Sequence, residues 1–319
     1  MTRIVPIKEG ANTNNKKRKR RFMKSSTIFV IVMLAYSVLH FLIMWVGVNL
    51  NSILLSFKSY SYLTGDYSWL PFDQLFDNFK NIFTSIGKNA DHYGDMLNSS
   101  LAYFIVSCFV TLPIALFFSY FIFKKIVDNG FFKVIFFLPS IIPLIILTTI
   151  YTLTVGSNGP LGTLLSKIGV NPSNLFLTKR SAEWMIWIFC VWAGIGYDVI
   201  LLTAGMSRIP RDILESCKMD GVPSFWEFIR IVIPLTWSTI TTLFIFGMMS
   251  VFTVYLQPWY LAPKADETWT IGTRIYLVSR SQVALHEPAA LGLFYSLIGA
   301  PIIMGVRHLL NKAFGEVSY

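Results

Sequence analysis

Charged residues are scarce in this sequence. Only 14% of the 319 residues are charged and 54% are hydrophobic. Soluble domains usually carry about 25% charged residues. A chain with so little charge cannot cover a large water-facing surface. The composition therefore excludes an ordinary soluble domain and predicts an integral membrane protein with several spans.

Residues that carry chemistry are also few. The three cysteines, Cys108, Cys190 and Cys217, are too far apart for a metal-ligand pattern, and the four histidines form no cluster. The phosphate-binding pattern G-x-x-x-x-G-K-[ST] is absent, because the only Gly-Lys pair, at 87–88, lacks the upstream glycine and the following hydroxyl. We therefore expect no bound metal or cofactor and no ATP site in this chain. No converging catalytic groups favour a membrane enzyme.

Long apolar runs occupy most of the sequence. Each is near or above the roughly 20 residues that a helix needs to cross a bilayer. Helices satisfy their own backbone polar groups in lipid, and the alternating pattern of a membrane barrel is missing. The predicted fold is all-α, with a transmembrane domain over residues 27–310. Its six predicted spans are 27–55, 96–123, 134–155, 184–206, 231–256 and 289–310.

Basic residues indicate the orientation of these spans. Nine of the 27 Lys and Arg residues precede residue 27, which predicts a basic cytoplasmic arm over 1–26 rather than a nucleic-acid site. With the N-terminus inside, eighteen basic residues fall in inner segments and nine in outer ones. Both termini, the tail 311–319 and the segment 207–230 are then predicted to be cytoplasmic.

Proline and long outer segments leave alternatives open. Proline bends helices, which suits a cavity-lining bundle but is also common in membrane proteins that do not move. The outer segments 57–95, 156–183 and 257–288 fit an extracellular docking surface and plain connectors equally well. The prolines within the predicted spans are Pro113, Pro139, Pro143, Pro234 and Pro301.

A polar segment, residues 207–235, interrupts the apolar runs. Pro210 is suited to start a short helix, and Gly221 to end it in a left-handed conformation. Ser224 and Glu227 have the spacing of a capping box, which predicts a new helix that continues into the fifth span. An ordinary amphipathic cytoplasmic loop is the alternative.

The same segment resembles a known family. Its E-S-C-K-M-D-G followed by I-V-I-P-L is similar to the E-A-A-x-x-x-G-x9-I-x-L-P pattern of permease subunits of ATP-binding-cassette (ABC) importers. Ser216 and Cys217 stand in place of the two alanines, and Ile233 in place of leucine. Weaker similarities to permeases for complex or multiple sugars are F-F-L-P-S at 136–140, G-I-G-Y-D at 194–198, A-L-G-L-F at 290–294 and N-K-A-F-G at 311–315.

The resemblance implies a type I importer permease in a bacterial plasma membrane, with the short helix docked on a separate ATPase that holds ATP and Mg²⁺. Carboxylates at Glu215 and Asp220 would face basic groups of that ATPase, and small side chains would allow close approach. The implied partners are two ATPase subunits, a second, homologous permease in a heterodimer and an extracellular solute-binding protein. The implied coupling residues are Arg211, Glu215, Ser216, Cys217, Asp220 and Gly221.

The implied cargo is a carbohydrate, most simply an oligosaccharide; a peptide or amino acid permease is the alternative, and a secondary transporter a further one. Asp198 lies deep in a span, where a carboxylate costs about 2.5–3.5 kcal/mol, so it faces either the substrate or a structural hydrogen-bond partner. Nearby aromatic residues either stack on sugar rings or anchor the span ends. The candidate path residues are Asp198, Tyr197, Trp192 and Tyr255.

Overall fold

A computed structural model describes residues 29–89, 92–125, 129–281 and 283–314. The predicted basic arm, 1–26, lies outside these residues, as do the last five residues of the predicted tail. The chain divides into two units, Met1–Leu55 and Ser56–Tyr319. Each is described by itself.

The described part of the first unit is one helix. Helix α1 covers Phe29–Leu55, and its mean hydropathy of 2.3 is high enough for a membrane span. It contains one π-helical stretch, Phe41–Gly47. The helix agrees with the first predicted span over all of that span's described residues.

The second unit is mostly helical, with one small hairpin. Strands β1 (Lys58–Tyr60) and β2 (Tyr67–Trp69) pair antiparallel, with Ser59 opposite Ser68. Short 3₁₀ turns lie at Phe72–Gln74, Pro172–Asn174 and Asp266–Thr268. The helices are α2 (Asp77–Lys88), α3 (Tyr93–Phe123), α4 (Asn129–Ile141), α5 (Leu144–Val155), α6 (Pro160–Lys167), α7 (Lys179–Met206), α8 (Arg211–Met219), α9 (Ser224–Leu235), α10 (Trp237–Thr253), α11 (Leu256–Leu261), α12 (Ile271–Ser281) and α13 (His286–Phe314).

Among the described residues, five helices or helix pairs are long and apolar enough to cross a membrane. Two of them, α3 and α7, contain the second and fourth predicted spans, and α13 contains the sixth and extends into the predicted tail. A further candidate is the bent pair α9 and α10. The predicted helical membrane fold is confirmed, whereas six crossings and the orientation of the termini stay predictions.

The third predicted span is not one helix. Helix α4 ends at Ile141, and α5 begins at Leu144 with Pro143 in an extended conformation immediately before it. Proline has no N–H to donate and disfavours a helical conformation in the residue before it, so the helix breaks here. The span-length apolar stretch is instead Leu144–Lys167, which combines α5 with α6. The prediction of a continuous helix over 134–155 is therefore wrong.

The fifth predicted span is sharply bent. Helices α9 and α10 meet at 76°, and the predicted span 231–256 includes the bend. A π-helical stretch, Phe228–Val232, precedes Pro234, which cannot donate a helical hydrogen bond. At the bend, the backbone N–H and the hydroxyl of Thr236 both donate to the carbonyl oxygen of Val232, at 3.0 and 2.7 Å. The fifth predicted span is thus two helices joined at Thr236, and Pro234 lies next to the bend, as its effect on helices leads us to expect.

Helix α7 is central to the packing of the second unit. It contacts the later half of α3 and the whole of α4. The main buried cluster joins α7 to α3 and α10, and includes Val199 and Leu202, both fully buried. The Ser119 hydroxyl donates to the carbonyl oxygen of Val199, at 3.2 Å. This packing holds the polar segment, which follows α7 directly, at one end of the bundle.

A glycine sets the approach of α4 to α7. A Cβ added at Gly196 would lie well inside van der Waals distance of the Phe136 carbonyl oxygen, whereas one at Gly194 would meet only the Thr111 methyl group, at 3.9 Å. We expect Gly196→Ala to destabilise the chain by about 1–3 kcal/mol, as overpacking does, because two backbones must move apart. The matched control Gly194→Ala should unfold like the wild type. Thermal unfolding in detergent measures both, and equal melting temperatures would contradict this packing role.

Candidate functional site

The polar segment folds into the predicted short helix. Helix α8 begins immediately after Pro210, which is its N-cap rather than its first residue. Gly221 ends it with φ +69°, and a Cβ at this position would meet nothing within 4 Å. The N–H of Val222 donates to the Cys217 carbonyl, at 3.0 Å, and that of Gly221 to the Lys218 carbonyl, at 3.2 Å. This pair of bonds is a Schellman motif, so the turn is well defined.

Helix α8 has one exposed face and one packed face. Five of the six predicted coupling residues are exposed and leave a polar surface open to a partner. Cys217 is only 7% exposed, and Leu214 packs against the main buried cluster. The predicted position of Cys217 on the docking surface therefore does not fit the structure, because its side chain faces the chain's own core. The exposed five are Arg211, Glu215, Ser216, Asp220 and Gly221.

The predicted capping box at the start of α9 does not form. Pro223 is the N-cap, and no side chain caps the helix. The Glu227 carboxylate instead forms an ion pair with Lys124, whose Nζ lies 2.5 Å from Oε1. The Glu227 side chain is buried, at 3% exposure, and that of Lys124 is partly buried, at 16%. A buried carboxylate is stable only beside a partner charge, and that requirement outweighs a local cap.

Two contacts accompany the ion pair. The Tyr120 hydroxyl donates to the Ser224 carbonyl, at 2.9 Å, and the Tyr120 ring lies 4.8 Å from the ring of Phe228. Tyr120 lies in the last turn of α3 and Lys124 is the residue that caps its end, whereas Ser224, Glu227 and Phe228 lie at the start of α9. The polar segment is thus attached to α3 by charge, hydrogen bond and ring packing.

A cavity of about 310 Å³ lies among the helices of the second unit. Residues from α3, α7 and α10 form most of its wall. Its lining includes the polar residues Ser107, Thr111 and Ser250. Ser107 and Thr111 bound a π-helical stretch of α3, an irregularity common at functional sites. The cavity is mainly apolar with a few polar groups, as binding sites for small molecules usually are.

Two of the four predicted path residues line this cavity. Asp198 is partly buried, and within the described parts of the chain no residue forms a hydrogen bond or ion pair with its carboxylate. Tyr197, beside it, is 48% exposed. The structural alternative, a hydrogen bond from Asp198 to a neighbouring helix of this chain, is therefore not present. The carboxylate is therefore open to water, to a partner or to a substrate.

The other two predicted path residues lie elsewhere. Trp192 stacks on Tyr151, with ring centroids 6.3 Å apart, and does not contribute to the cavity wall. The Tyr255 ring lies 5.3 Å from Tyr276, and its carbonyl accepts a hydrogen bond from Thr273. Helical spacing explains the separation, because Trp192 and Asp198 are not on one face of α7.

Comparison of the sequence with known proteins finds relatives that are named as transport permeases. A scan against protein-family models finds no match for this chain. The chain is 27% identical over 237 residues to the probable ABC transporter permease protein YesP of Bacillus subtilis, covering 74% of this chain and 73% of that protein. It is 28% identical to the trehalose/maltose transport system permease protein MalF of Thermococcus litoralis and 23% to the diacetylchitobiose uptake system permease protein NgcF of Streptomyces coelicolor. These two matches span just over half of each relative, 57% and 56%.

The fold has solved counterparts. A chain in the crystal structure of a bacterial ABC transporter involved in the import of the acidic polysaccharide alginate superposes with a TM-score of 0.76, at 19% identity, over 92% of this chain and 99% of that one. A second structure of the alginate transporter, in complex with an alginate pentasaccharide-bound periplasmic protein, gives 0.74. The resemblance to sugar permeases of ABC importers is confirmed. The chain is a multi-pass membrane protein with the fold of an importer permease.

The predicted outer segments of this permease-like chain are joined to one another by side-chain contacts. The Glu287 Oε1 atom accepts hydrogen bonds from the Tyr93 hydroxyl and from two nitrogens of Arg274, at 2.8 to 3.1 Å. Burial disfavours the charged guanidinium, but the Glu287 carboxylate outweighs this effect and raises the pKa of Arg274 above its ordinary value. Asp95 pairs with Lys179 at 2.6 Å. Sequence reasoning missed these links because they join distant segments.

Among the described residues, no three His, Cys, Asp or Glu side chains are close enough to hold a metal ion. All three cysteines are free, and Cys108 and Cys217 are buried. Within the part of the chain that the structure describes, the features that could act in function are an exposed polar face on α8, the contacts between the end of α3 and α9, and a cavity lined by the Asp198 carboxylate.

Proposed function

We propose that this chain is a transmembrane subunit of an ATP-driven importer and forms part of the path of a carbohydrate. One observation carries the proposal: α8 presents an exposed polar face, while its Schellman turn leads directly into the bent pair α9 and α10, which reaches the cavity. A partner that moves α8 therefore also moves a wall of the cavity. This is the arrangement that a two-state transporter driven by another subunit requires.

Orientation follows from charge. With the N-terminus inside, twice as many basic residues lie in inner as in outer segments. The bent pair α9 and α10 then serves as the fifth of six crossings. Both termini and α8 face the cytoplasm, where ATP is available, and the folded outer segments face a binding protein.

The motor belongs to a separate polypeptide. The chain lacks a phosphate-binding pattern of its own, so ATP and Mg²⁺ are held by two ATPase subunits that dock on Arg211, Glu215, Ser216, Asp220 and Gly221. A second, homologous permease completes the membrane path as a heterodimer. The extracellular solute-binding protein supplies the cargo, as the periplasmic protein of the alginate transporter carries a pentasaccharide.

The cargo class comes from the relatives together with the cavity. Permeases for trehalose and maltose, for diacetylchitobiose and for alginate all resemble this chain. Hydroxyl groups and the Asp198 carboxylate in the cavity offer hydrogen bonds that sugar hydroxyls can satisfy. An oligosaccharide is therefore proposed as cargo. A peptide or an amino acid is the second candidate cargo, since the proposed docking face of α8 indicates which kind of ATPase binds but not which substrate is carried.

The test is uptake by a reconstituted complex. The chain is co-purified with its partner permease, ATPase and binding protein, placed in liposomes and supplied with labelled oligosaccharides, peptides or amino acids. We expect oligosaccharide uptake that requires both ATP and the binding protein, and no ATP hydrolysis by the isolated chain. A complex with an inactive ATPase is the control. Uptake driven by an ion gradient without ATP would instead indicate a secondary transporter.

A further inference from the structure

We propose that Lys124 and Glu227 form a mechanical link through which the ATPase moves α3 as well as α10. The inference rests on the proposed function, because it assigns a positioning role within that transport cycle. Neither residue is exposed enough to dock a partner or lies in the cavity wall. Their role is to attach one moving segment to another.

The ion pair between Lys124 and Glu227 is largely removed from water. Glu227 is 3% exposed and its carboxylate oxygen lies 2.5 Å from the Lys124 nitrogen. Removing two charges from water is costly, and such a pair contributes little to stability compared with apolar residues of similar size. Loss of one partner, in contrast, leaves an unpaired buried charge. The pair therefore holds α9 and the end of α3 in one relative position more than it stabilises the fold.

Neighbouring contacts of Tyr120 reinforce the ion pair. The Tyr120 hydroxyl is bonded to the Ser224 carbonyl, and the Lys124 ammonium lies 5.8 Å from the Tyr120 ring centroid. Ser224 is the first residue of α9, three residues after the turn at Gly221. A displacement of α8 that moves this turn therefore also displaces the end of α3.

Helix α3 extends from this end to the cavity. Tyr103, Ser107 and Thr111 of α3 form one side of the cavity, and residues of α10, including Gly247 and Ser250, form another. Helix α10 is joined to the polar segment by the chain itself, across the 76° bend. Helix α3 is far away in sequence and is joined to the polar segment through the ion pair. Both sides of the cavity are therefore attached to the segment that docks the motor.

The chain offers a matched control beside the link. Lys125 follows Lys124 directly but is exposed, and within the described residues it forms no ion pair. Lys125→Gln removes the same charge without touching the buried carboxylate. The near-isosteric variant Glu227→Gln removes the charge of the other partner.

The experiment uses the complete importer in liposomes, with uptake and ATP hydrolysis measured together. For Glu227→Gln we expect co-purification with the ATPase in wild-type yield, because the remaining Lys124 side chain is 16% exposed and can reach water. Lys124→Gln leaves the Glu227 carboxylate buried without a partner charge and should assemble in lower yield, so its ratio is measured on the complexes that assemble. Uptake per ATP hydrolysed should fall at least about fivefold, the lower end of typical coupling between sites. Lys125→Gln should keep the wild-type ratio. A purely structural role would lower the yield of the complex and leave this ratio unchanged in the complexes that assemble.

An exchanged pair tests the direct contact. Lys124→Glu combined with Glu227→Lys restores opposite charges, and we expect its uptake per ATP to recover above that of either single exchange. A wild-type ratio in Glu227→Gln, or no recovery in an assembled exchanged pair, would overturn the link. If Glu227→Gln does not assemble, Tyr120→Phe removes only the hydroxyl bond to Ser224, and its ratio should fall about twofold. An unchanged ratio in Tyr120→Phe would then overturn the link.

Failure of the link and failure of the proposed function give different results. If the wild-type chain does not co-purify with an ATPase or shows no ATP-dependent uptake, the proposed function is wrong. If the wild type transports and Glu227→Gln transports with the same ratio, only the link is wrong.

Discussion

Replacing Glu215 with lysine is expected to release the ATPase from the membrane subunit. Glu215 is exposed on α8 and forms no ion pair within the described structure, so its carboxylate is available to a basic group of a partner. Reversing the charge places an ammonium against that basic group. Disrupting a buried interfacial charge pair costs about 2–5 kcal/mol, so association should weaken at least about 30-fold. Co-purification with the ATPase and ATP hydrolysis stimulated by the loaded binding protein measure the effect.

The same charge change elsewhere serves as the control. Asp66 is an exposed carboxylate in the loop between β1 and β2, in the part of the chain predicted to lie outside. Asp66→Lys should co-purify with the ATPase as well as the wild type does. Wild-type association and stimulated hydrolysis in Glu215→Lys would show that α8 docks the motor without this residue, or does not dock it.

Local signals predicted the polar segment well. The helix at Arg211–Met219 and its end at Gly221 were both expected, because proline and glycine act on their own backbone within a few residues. The resemblance to importer permeases depended on the same short segment. The prediction failed for Cys217, which the family pattern places among the coupling residues. A pattern of residue types does not state which face of a two-turn helix packs against the chain.

Distant partners were beyond sequence reasoning. Ser224 and Glu227 have the spacing of a capping box, but Lys124 is close to Glu227 only after α3 and α9 have packed together. The tertiary contact wins because an unpaired buried carboxylate costs more than a missing helix cap. The links of Glu287 to Tyr93 and Arg274 were missed for the same reason.

Hydropathy located most of the long apolar helices but not the breaks between them. The apolar runs predicted where helices lie, since lipid imposes a minimum length on each of them. Pro139, Pro143, Pro234 and Pro301 all lie within predicted spans, yet only Pro143 ends a helix and only Pro234 accompanies a sharp bend. A helix can accommodate a proline when neighbouring groups satisfy the freed carbonyl, and those neighbours are set by the tertiary fold.

Loss of the Asp198 carboxylate is expected to reduce transport strongly. It lines the cavity, and no described residue of the chain pairs with it. The Asp198→Asn side chain keeps the shape but loses the charge. A hydrogen bond to a charged group contributes about 1.5–3 kcal/mol, so we expect uptake of the cognate oligosaccharide to fall about 10-fold or more. Association with the ATPase should stay unchanged, because Asp198 is remote from the exposed face of α8.

A substitution at Trp192 serves as the control, because this residue lies on the same helix as Asp198 but does not line the cavity. Both residues belong to α7 and both were candidates for the path, but Trp192 stacks on Tyr151 outside the cavity wall. Trp192→Phe keeps an aromatic ring, and we expect it to transport like the wild type. Equal uptake by Asp198→Asn and the wild type would remove Asp198 from the path. Loss of the partner permease on purification of Asp198→Asn would instead show that the Asp198 carboxylate bonds the second subunit and has a structural role.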